Sequence, residues 1–363
     1  SKGPFVFAQI SETGKPVYDL LIDLIPKWIT DLQGRRFMRW GDGERRFSRP
    51  IRWIISLLDD KLIPINLNGC DPEIRSGNIS KGHRLFSDCL EISNASEYVS
   101  ILENVGVIVD RDCRRSSIRK LVEDEAIEFN AFPDLTESLL DELTDLVESP
   151  ILISGHYDEK FLKLPPEVLT TVMKVHQRYI PLYSSNELIH DHLSLDSNNT
   201  LIPFFLCISN GLIQASNIIK KGNERVLRAR LSDAKFFLEA DLAIQSEIRR
   251  GLLEGVSFAE GLGTLLDRVK RIEWIGDLLV NQLIVPGLNT KFFKRASYLC
   301  KHDLVSQIVG EFPELEGIMG GKYLLSEGEP REVALAVSEH YLPRSSTGPL
   351  PGSVYGAMLA IAD

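Results

Sequence analysis

Apolar positions recur along the chain with two different periods, and the change between them divides it near residue 222. Upstream, short β-branched or aromatic runs alternate with stretches of helical period. "PFVFAQI" at 4–10 and "LIPINL" at 62–67 predict strands, and "VYDLLIDLIPKWITDL" between them predicts a helix bent near Pro26. "IRWIISLLD" after Pro50 is read as strand from its isoleucines, and 95–129 as two helices flanking a strand "VGVIVD". "TESLLDELTDLVES" is an amphipathic helix with Thr136 as its N-cap. A strand "PILISGHY" follows, then a helix "PPEVLTTVMKVHQRY" with proline at its start. "YIPLYSS" and "LIPFFLCIS" predict a hairpin around the polar loop 184–200.

Downstream, only helical periods are evident, near 222–240, 242–253, 258–283, 291–310, 330–341 and 352–363. The expectation is therefore α+β modules over 1–221 followed by an all-α domain over 222–363. There is no internal repeat. The chain begins without Met and stops at "MLAIAD" inside an apolar helical pattern, so it is expected to be part of a longer protein.

Composition adds bounds. Hydrophobic residues make up 44% and charged residues 25%, an ordinary globular mixture. The five cysteines are scattered without C-x-x-C spacing, so neither a zinc ribbon nor a disulfide framework is indicated, and a reducing, cytoplasmic compartment is expected. The longest strongly apolar run, Leu201–Ile208, is too short to cross a membrane, and no signal peptide is expected. The net charge of −10 argues against a free-standing DNA or RNA binder. The charge is uneven, however. Residues 35–52 carry seven arginines against two acids, while 111–120 and 220–230 each carry five basic residues against one acid.

In the last of these stretches Lys221, Arg225, Arg228 and Lys235 fall on one helical stripe. Leu227, Leu231, Ala234 and Leu238 repeat on the opposite side. Such a helix buries one face and presents cations that can grip phosphate on the other. "GN" at 222–223 suggests that Asn223 caps the helix, which would leave Lys221 just outside it. "RRFMRWGDGERRFSRPIRW" at 35–53 interleaves arginine with Phe37, Trp40, Phe47 and Trp53, a mixture that suits RNA. The competing expectation, preferred for the aromatic residues, is that they are core and the arginine stems cover them.

Other motifs are weaker. "GIMGGK" at 317–322 has the wrong spacing for a phosphate loop, and Tyr323 stands where a Ser or Thr would bind magnesium. His190 and His192 lack a nearby third ligand. "LCKHDLVSQ" at 299–307 places the pair His302-Asp303 within an expected helix.

Taken in order, "MRWG", "RPIRW", "SLLDELTDLVESP", "FLKLPPEVL", "HQRYIPLY", "GNERVLRARLSDAKFF", "CKHDLV", "EFPELEGIMG", "EHYLPR" and "LAIAD" closely resemble the β subunit of bacterial-type, heterotetrameric glycyl-tRNA synthetase. The resemblance runs from about Phe37 to Asp363. It implies an α₂β₂ enzyme that joins glycine to its tRNA, with ATP and magnesium handled by the α subunit. The β subunit then supplies tRNA binding and assembly with α, and needs no cofactor in this part. It further implies α+β modules like those of the phenylalanyl enzyme's β subunit and an HD-like helical domain, and neither membrane nor DNA as a partner. Consistent with that division of labour, the class II motifs and the "HIGH" and "KMSKS" signatures are absent from the sequence.

HD proteins hold a metal with a histidine on an earlier helix, the His-Asp pair and a final aspartate. Here Arg268 stands in the first position, followed by His302, Asp303 and Asp363. A guanidinium has no lone pair to give a metal. The expectation is a degenerate cluster with no metal, in which Arg268 pairs with Asp303 or Asp363. The rival readings are an HD-type metal phosphohydrolase and a purely structural scaffold.

Overall fold

The computed structural model describes residues 8, 10, 14–85, 89–186, 192–195, 200–283 and 286–363. Most of the strand expected at 4–10 and His190 of the histidine pair lie outside the described residues, while His192 is exposed. The chain forms two compact units, Ser1–Arg114 and Arg115–Asp363.

In the first unit the helix Val17–Asp31 contains Pro26. Tyr18, Leu21, Ile22, Ile25 and Ile29 recur at helical spacing and pack against a core of Ile63, Ile65, Leu67 and Ile74. Those core residues lie in and between very short strands. Ile74–Gly77 pairs antiparallel with Asn66–Leu67 and parallel with Ile54–Ile55. A two-residue ladder, Met38–Arg39 against Arg46–Phe47, stands apart from that sheet. The strand expected at 105–110 does not form. Val107 N–H bonds back to the Leu102 carbonyl, and the Arg114 guanidinium takes the Ile108 carbonyl that a ladder would need.

The second unit is built on a four-stranded antiparallel sheet in the order Phe132–Pro133, Ile180–Tyr183, Leu201–Ser209, Ile151–His156. The expected hairpin of 179–185 with 201–209 is its centre. Side chains of the long strand alternate between faces. Leu206 and Ile208 join Ile118, Val122, Leu139, Leu140 and Leu143 on one side. Phe205 and Cys207 join Leu227, Leu231, Ala234 and Leu238 on the other, together with Phe312, Met319 and Tyr323. Thr136 caps Glu137–Leu146 as its sequence suggests, accepting a bond from Leu139 N–H.

A second core lies among the helices Leu265–Gln282, Thr290–Leu299, Ile318–Ser326, Arg331–Glu339 and Val354–Ala362. Val269, Ile272, Phe293, Leu299, Val337 and Leu359 meet there. The expected helix at 258–283 starts later. Residues 257–264 form a small hairpin, and Thr264 with Asp267 makes a capping box at the helix start.

The boundary expected between 221 and 222 falls inside one helix, Ser216–Leu242. The physical reason is that this helix covers the sheet: Leu227, Leu231 and Ala234 share one apolar core with Ile153 and Phe205. The sheet and the helical stretch after it therefore fold as one body, and the division comes after Arg114.

Candidate functional site

The 27-residue helix Ser216–Leu242 carries the cationic stripe. Its inner face is fully apolar at Leu227, Leu231 and Ala234, which packing holds against the sheet. Lys221, Arg225, Arg228 and Lys235 are all exposed, on a flank roughly 100° around the helix from that face. Asn223 is not a cap. It lies inside the helix and donates to Cys207 Sγ at 3.2 Å, so the helix starts well before that cap would have it, at Ser216, and Lys221 belongs to the stripe. Burial against the sheet outweighs the local Gly-Asn signal. Glu224 is turned inward and accepts from His156 N–H at 3.1 Å and pairs with His156 Nδ1 at 2.7 Å.

The four stripe residues differ in their surroundings. Lys235 has an i,i+4 contact with Glu239 at 3.6 Å, a loose exposed pair. Arg228 lies near Asp158, whose carboxyl is held below its ordinary range by the Lys160 N–H and side chain first and by Arg228 last. Lys221 and Arg225 have no ion-pair partner among the described residues. They are the members freest to meet an anion.

The His-Asp pair is not within a helix. Thr290–Leu299 ends, Lys301 takes a left-handed conformation at φ 63°, and His302–Val305 forms a 3₁₀ turn. Both side chains of the pair are fully buried. His302 Nδ1 accepts from Arg249 Nε at 3.3 Å and its Nε2 faces the Gly320 carbonyl at 3.2 Å. Those partners select the Nε2-protonated ring and leave no lone pair to give. Burial first, and the Arg249 charge second, push its pKa down to about 3.

Asp303 turns to a different task. Its Oδ2 accepts from Gly317 N–H at 2.6 Å and Gly320 N–H at 3.1 Å, at the start of the helix Ile318–Ser326. The glycine run "GIMGGK" is thus an anion-holding helix terminus, and the anion is the chain's own carboxylate. A Cβ on Gly320 would lie 3.0 Å from that carboxyl group, and one on Gly321 would lie 2.7 Å from the Ala334 carbonyl. Burial raises the Asp303 pKa even though both N–H groups pull it down.

Arg268 pairs with Asp363 at 2.9 Å, but not with Asp303. The cluster expected to unite Arg268, Asp303 and Asp363 is therefore split, because the backbone N–H groups claim Asp303. The cation missed in the sequence is Lys301, whose Nζ lies 2.6 Å from Asp363 Oδ2 and 3.3 Å from His340 Nε2. The ammonium also stands 4.1 Å from the centre of the Tyr341 ring. His340 Nδ1 donates to the Val337 carbonyl at 2.6 Å, and burial, helped by Lys301, pushes its pKa down to about 3. The only signal for Lys301 was its place beside the pair in "KHD"; nothing local pointed to His340. Among the described residues, no three His, Cys, Asp or Glu side chains are placed to hold a metal.

A family model described as glycyl-tRNA synthetase beta subunit matches residues 1–363. The chain belongs to that family. The glycine–tRNA ligase β subunit of Trichodesmium erythraeum is 46% identical over 363 residues, all of this chain and 50% of the relative. That of Acaryochloris marina is 45% identical, over all of this chain and 49% of the relative. That of Geobacter sulfurreducens is 40% identical, over all of this chain and 50% of the relative. The chain spans about half the length of the curated relatives it matches.

Proposed function

We propose that the chain serves as a non-adenylating part of a glycyl-tRNA synthetase β subunit, binding glycine tRNA and assembling with the α subunit as α₂β₂. ATP and magnesium act at α, and no cofactor is required here. The observation that carries the tRNA-binding role is the stripe: Lys221, Arg225, Arg228 and Lys235 are exposed along one flank of a helix whose apolar face is packed on a sheet. Packing fixes the backbone, so the freedom lost when these residues meet phosphate is confined to their side chains. The acidic chain offers little long-range attraction to RNA, and binding has to come from such local patches.

The region around His302 and Asp303 acts as an HD-like scaffold, not as a phosphohydrolase. Its histidines are tied up as neutral donors and acceptors, and Asp363 is neutralised by Arg268 and Lys301. Photo-cross-linking of glycine tRNA to the αβ assembly tests the reading. Cross-links in peptides containing 216–242, with no glycine-dependent ATP–pyrophosphate exchange from the chain without α, are the expected result. Cross-links absent from that helix, or exchange by the isolated chain, would refute it.

A further inference from the structure

The arginine-aromatic segment 35–53 is accounted for by neither the stripe nor the His-Asp turn. Its aromatic residues are not core, contrary to the expectation preferred from the sequence. The first unit's apolar cluster is built from the helix Val17–Asp31 and from Ile63, Ile65, Leu67 and Ile74, without Phe37, Trp40 or Phe47. Those three rings are half-buried. With Arg35, Arg45 and Arg46 they line an open cleft of about 700 Å³, which Glu44 also borders. The physical reason is local. The two-residue ladder Met38–Arg39/Arg46–Phe47 is too short to fold its rings onto the main sheet, and they pack on each other instead, Phe37 to Phe47 at 5.3 Å between centroids.

The cleft is built, not incidental. Gly34 passes so close over Phe37 that a Cβ there would meet the ring. Gly43 lies against the Gly69 carbonyl, where a Cβ would come to 2.7 Å. Arg45 ties the ladder down, donating to the Asn68 carbonyl at 2.8 Å and to the Thr30 hydroxyl. The remaining arginines are not used in this way. Arg39 and Arg46 face each other across the ladder, an arrangement that repels unless an anion lies nearby. Neither these two nor Arg35 has a carboxylate partner among the described residues.

We propose that this cleft binds an unpaired stretch of RNA. One base stacks on the Phe37–Phe47 pair, and the flanking phosphates meet Arg35 and Arg46. Planar aromatic faces beside unpaired guanidinium groups fit a nucleotide, which offers a π-face and an anion together. The cleft volume is in the range that encloses a small ligand. An acidic peptide would satisfy the arginines but has nothing to stack. The inference rests on the RNA-binding reading above and assigns a second, single-strand-selective site to it.

Fluorescein-labelled hexa-adenylate and a blunt twelve-base-pair RNA duplex, each titrated with the chain, test the proposal. Phe37→Leu with Phe47→Leu keeps apolar volume and removes the stacking face. It should weaken hexa-adenylate binding on the order of tenfold and duplex binding less than twofold. Arg35→Gln with Arg46→Gln changes two exposed side chains and protects the test if the first variant unfolds. It should also weaken hexa-adenylate binding and lower the salt slope by roughly one to two units. No hexa-adenylate binding by the parent chain, or unchanged affinity in both variants, would overturn the proposal. So would competition by hexaglutamate as effective as by unlabelled hexa-adenylate. Arg225→Glu with Arg228→Glu separates the two readings. Loss of duplex binding with hexa-adenylate binding intact is expected. Intact duplex and tRNA binding alongside weakened hexa-adenylate binding in the Phe variant would refute the stripe and leave the cleft standing.

Discussion

Two helices of this protein carry nearly the same basic composition and put it to opposite ends. Arg111–Glu128 and Ser216–Leu242 each contain a segment with five basic residues against one acid. In the first, Arg115 reaches Asp141 at 2.8 Å and also Glu137, and Arg119 reaches Glu137 at 2.7 Å, all on the adjoining helix Glu137–Leu146. Glu137 is held below its ordinary pKa by Arg119 first and Arg115 next. In the second, Arg230 alone of the five reaches an acid, Glu311 at 2.8 Å, while Lys221 and Arg225 face no carboxylate among the described residues. What decides between a structural arginine and a ligand-seeking one is whether the element packed alongside presents an acid. Counting charges along the chain cannot reveal that.

Fully buried cations mark the far end of this comparison, and removing one should have the largest effect. Arg249 is 2% exposed. It donates to the carbonyls of Asp241 and Ile244 and pairs with Glu327 at 3.2 Å. Arg249→Met should lower unfolding stability by roughly 3–5 kcal/mol, measured by urea denaturation, because several buried acceptors lose their donor at once. A loss below about 1 kcal/mol would mean that these bonds add little over hydration.

Acid should act on the same interior. An unfolded histidine takes a proton near pH 6.5, while His302 and His340 in the folded chain do so only at about 3. Between those values the unfolded chain binds more protons, so stability falls as pH drops below about 6.5 and is flat above it. Each histidine contributes a slope of at most about 1.4 kcal/mol per pH unit. Asp303 is shifted upward and works in the other sense: its contribution is present below the unfolded carboxylate range and is lost as pH rises through its folded value. Urea midpoints at about pH 7.5 and pH 5.5 should therefore differ, the lower pH giving the lower midpoint; equal midpoints would contradict two buried neutral histidines.

Smaller effects belong to the surface. Arg115→Gln breaks partly exposed pairs and should lower the urea midpoint only slightly, with tRNA affinity unchanged. A fall in tRNA affinity would mean that Glu137 and Asp141 do not keep Arg115 from RNA. Arg225→Gln should change stability by less than about 0.5 kcal/mol, because it breaks no ion pair. A larger loss would place Arg225 among the structural cations.

Much of this was legible in the sequence. The stripe and the buried apolar face beside it follow from a 3.6-residue period, and the four-stranded sheet was foreshadowed by the runs at 151–156, 180–183 and 201–209. Two misreadings share one cause, a tertiary contact that outweighs a local signal. Gly222-Asn223 looks like a helix start, but the sheet beneath Leu227 carries the helix back to Ser216. The helix Ile318–Ser326 was hidden by Gly320 and Gly321, which are needed for close approach to Asp303 and Ala334. The break at Lys301 had no glycine to mark it. In the candidate site, Arg268 and Asp363 could be paired from the family pattern. Lys301 and His340 could not, since only the fold brings them to the same carboxylate.

The salt dependence of glycine tRNA binding tests the stripe most directly. Binding by the αβ assembly would be measured from about 50 to 200 mM salt for the parent, for Arg115→Glu, and for Arg225→Glu with Arg228→Glu. Reversal at 225 and 228 should weaken binding and flatten the slope by roughly one to two units, about one for each phosphate no longer neutralised, while reversal at 115 leaves the slope unchanged. An unchanged slope for the double reversal, or an equal change for Arg115→Glu, would contradict the distinction between the two helices.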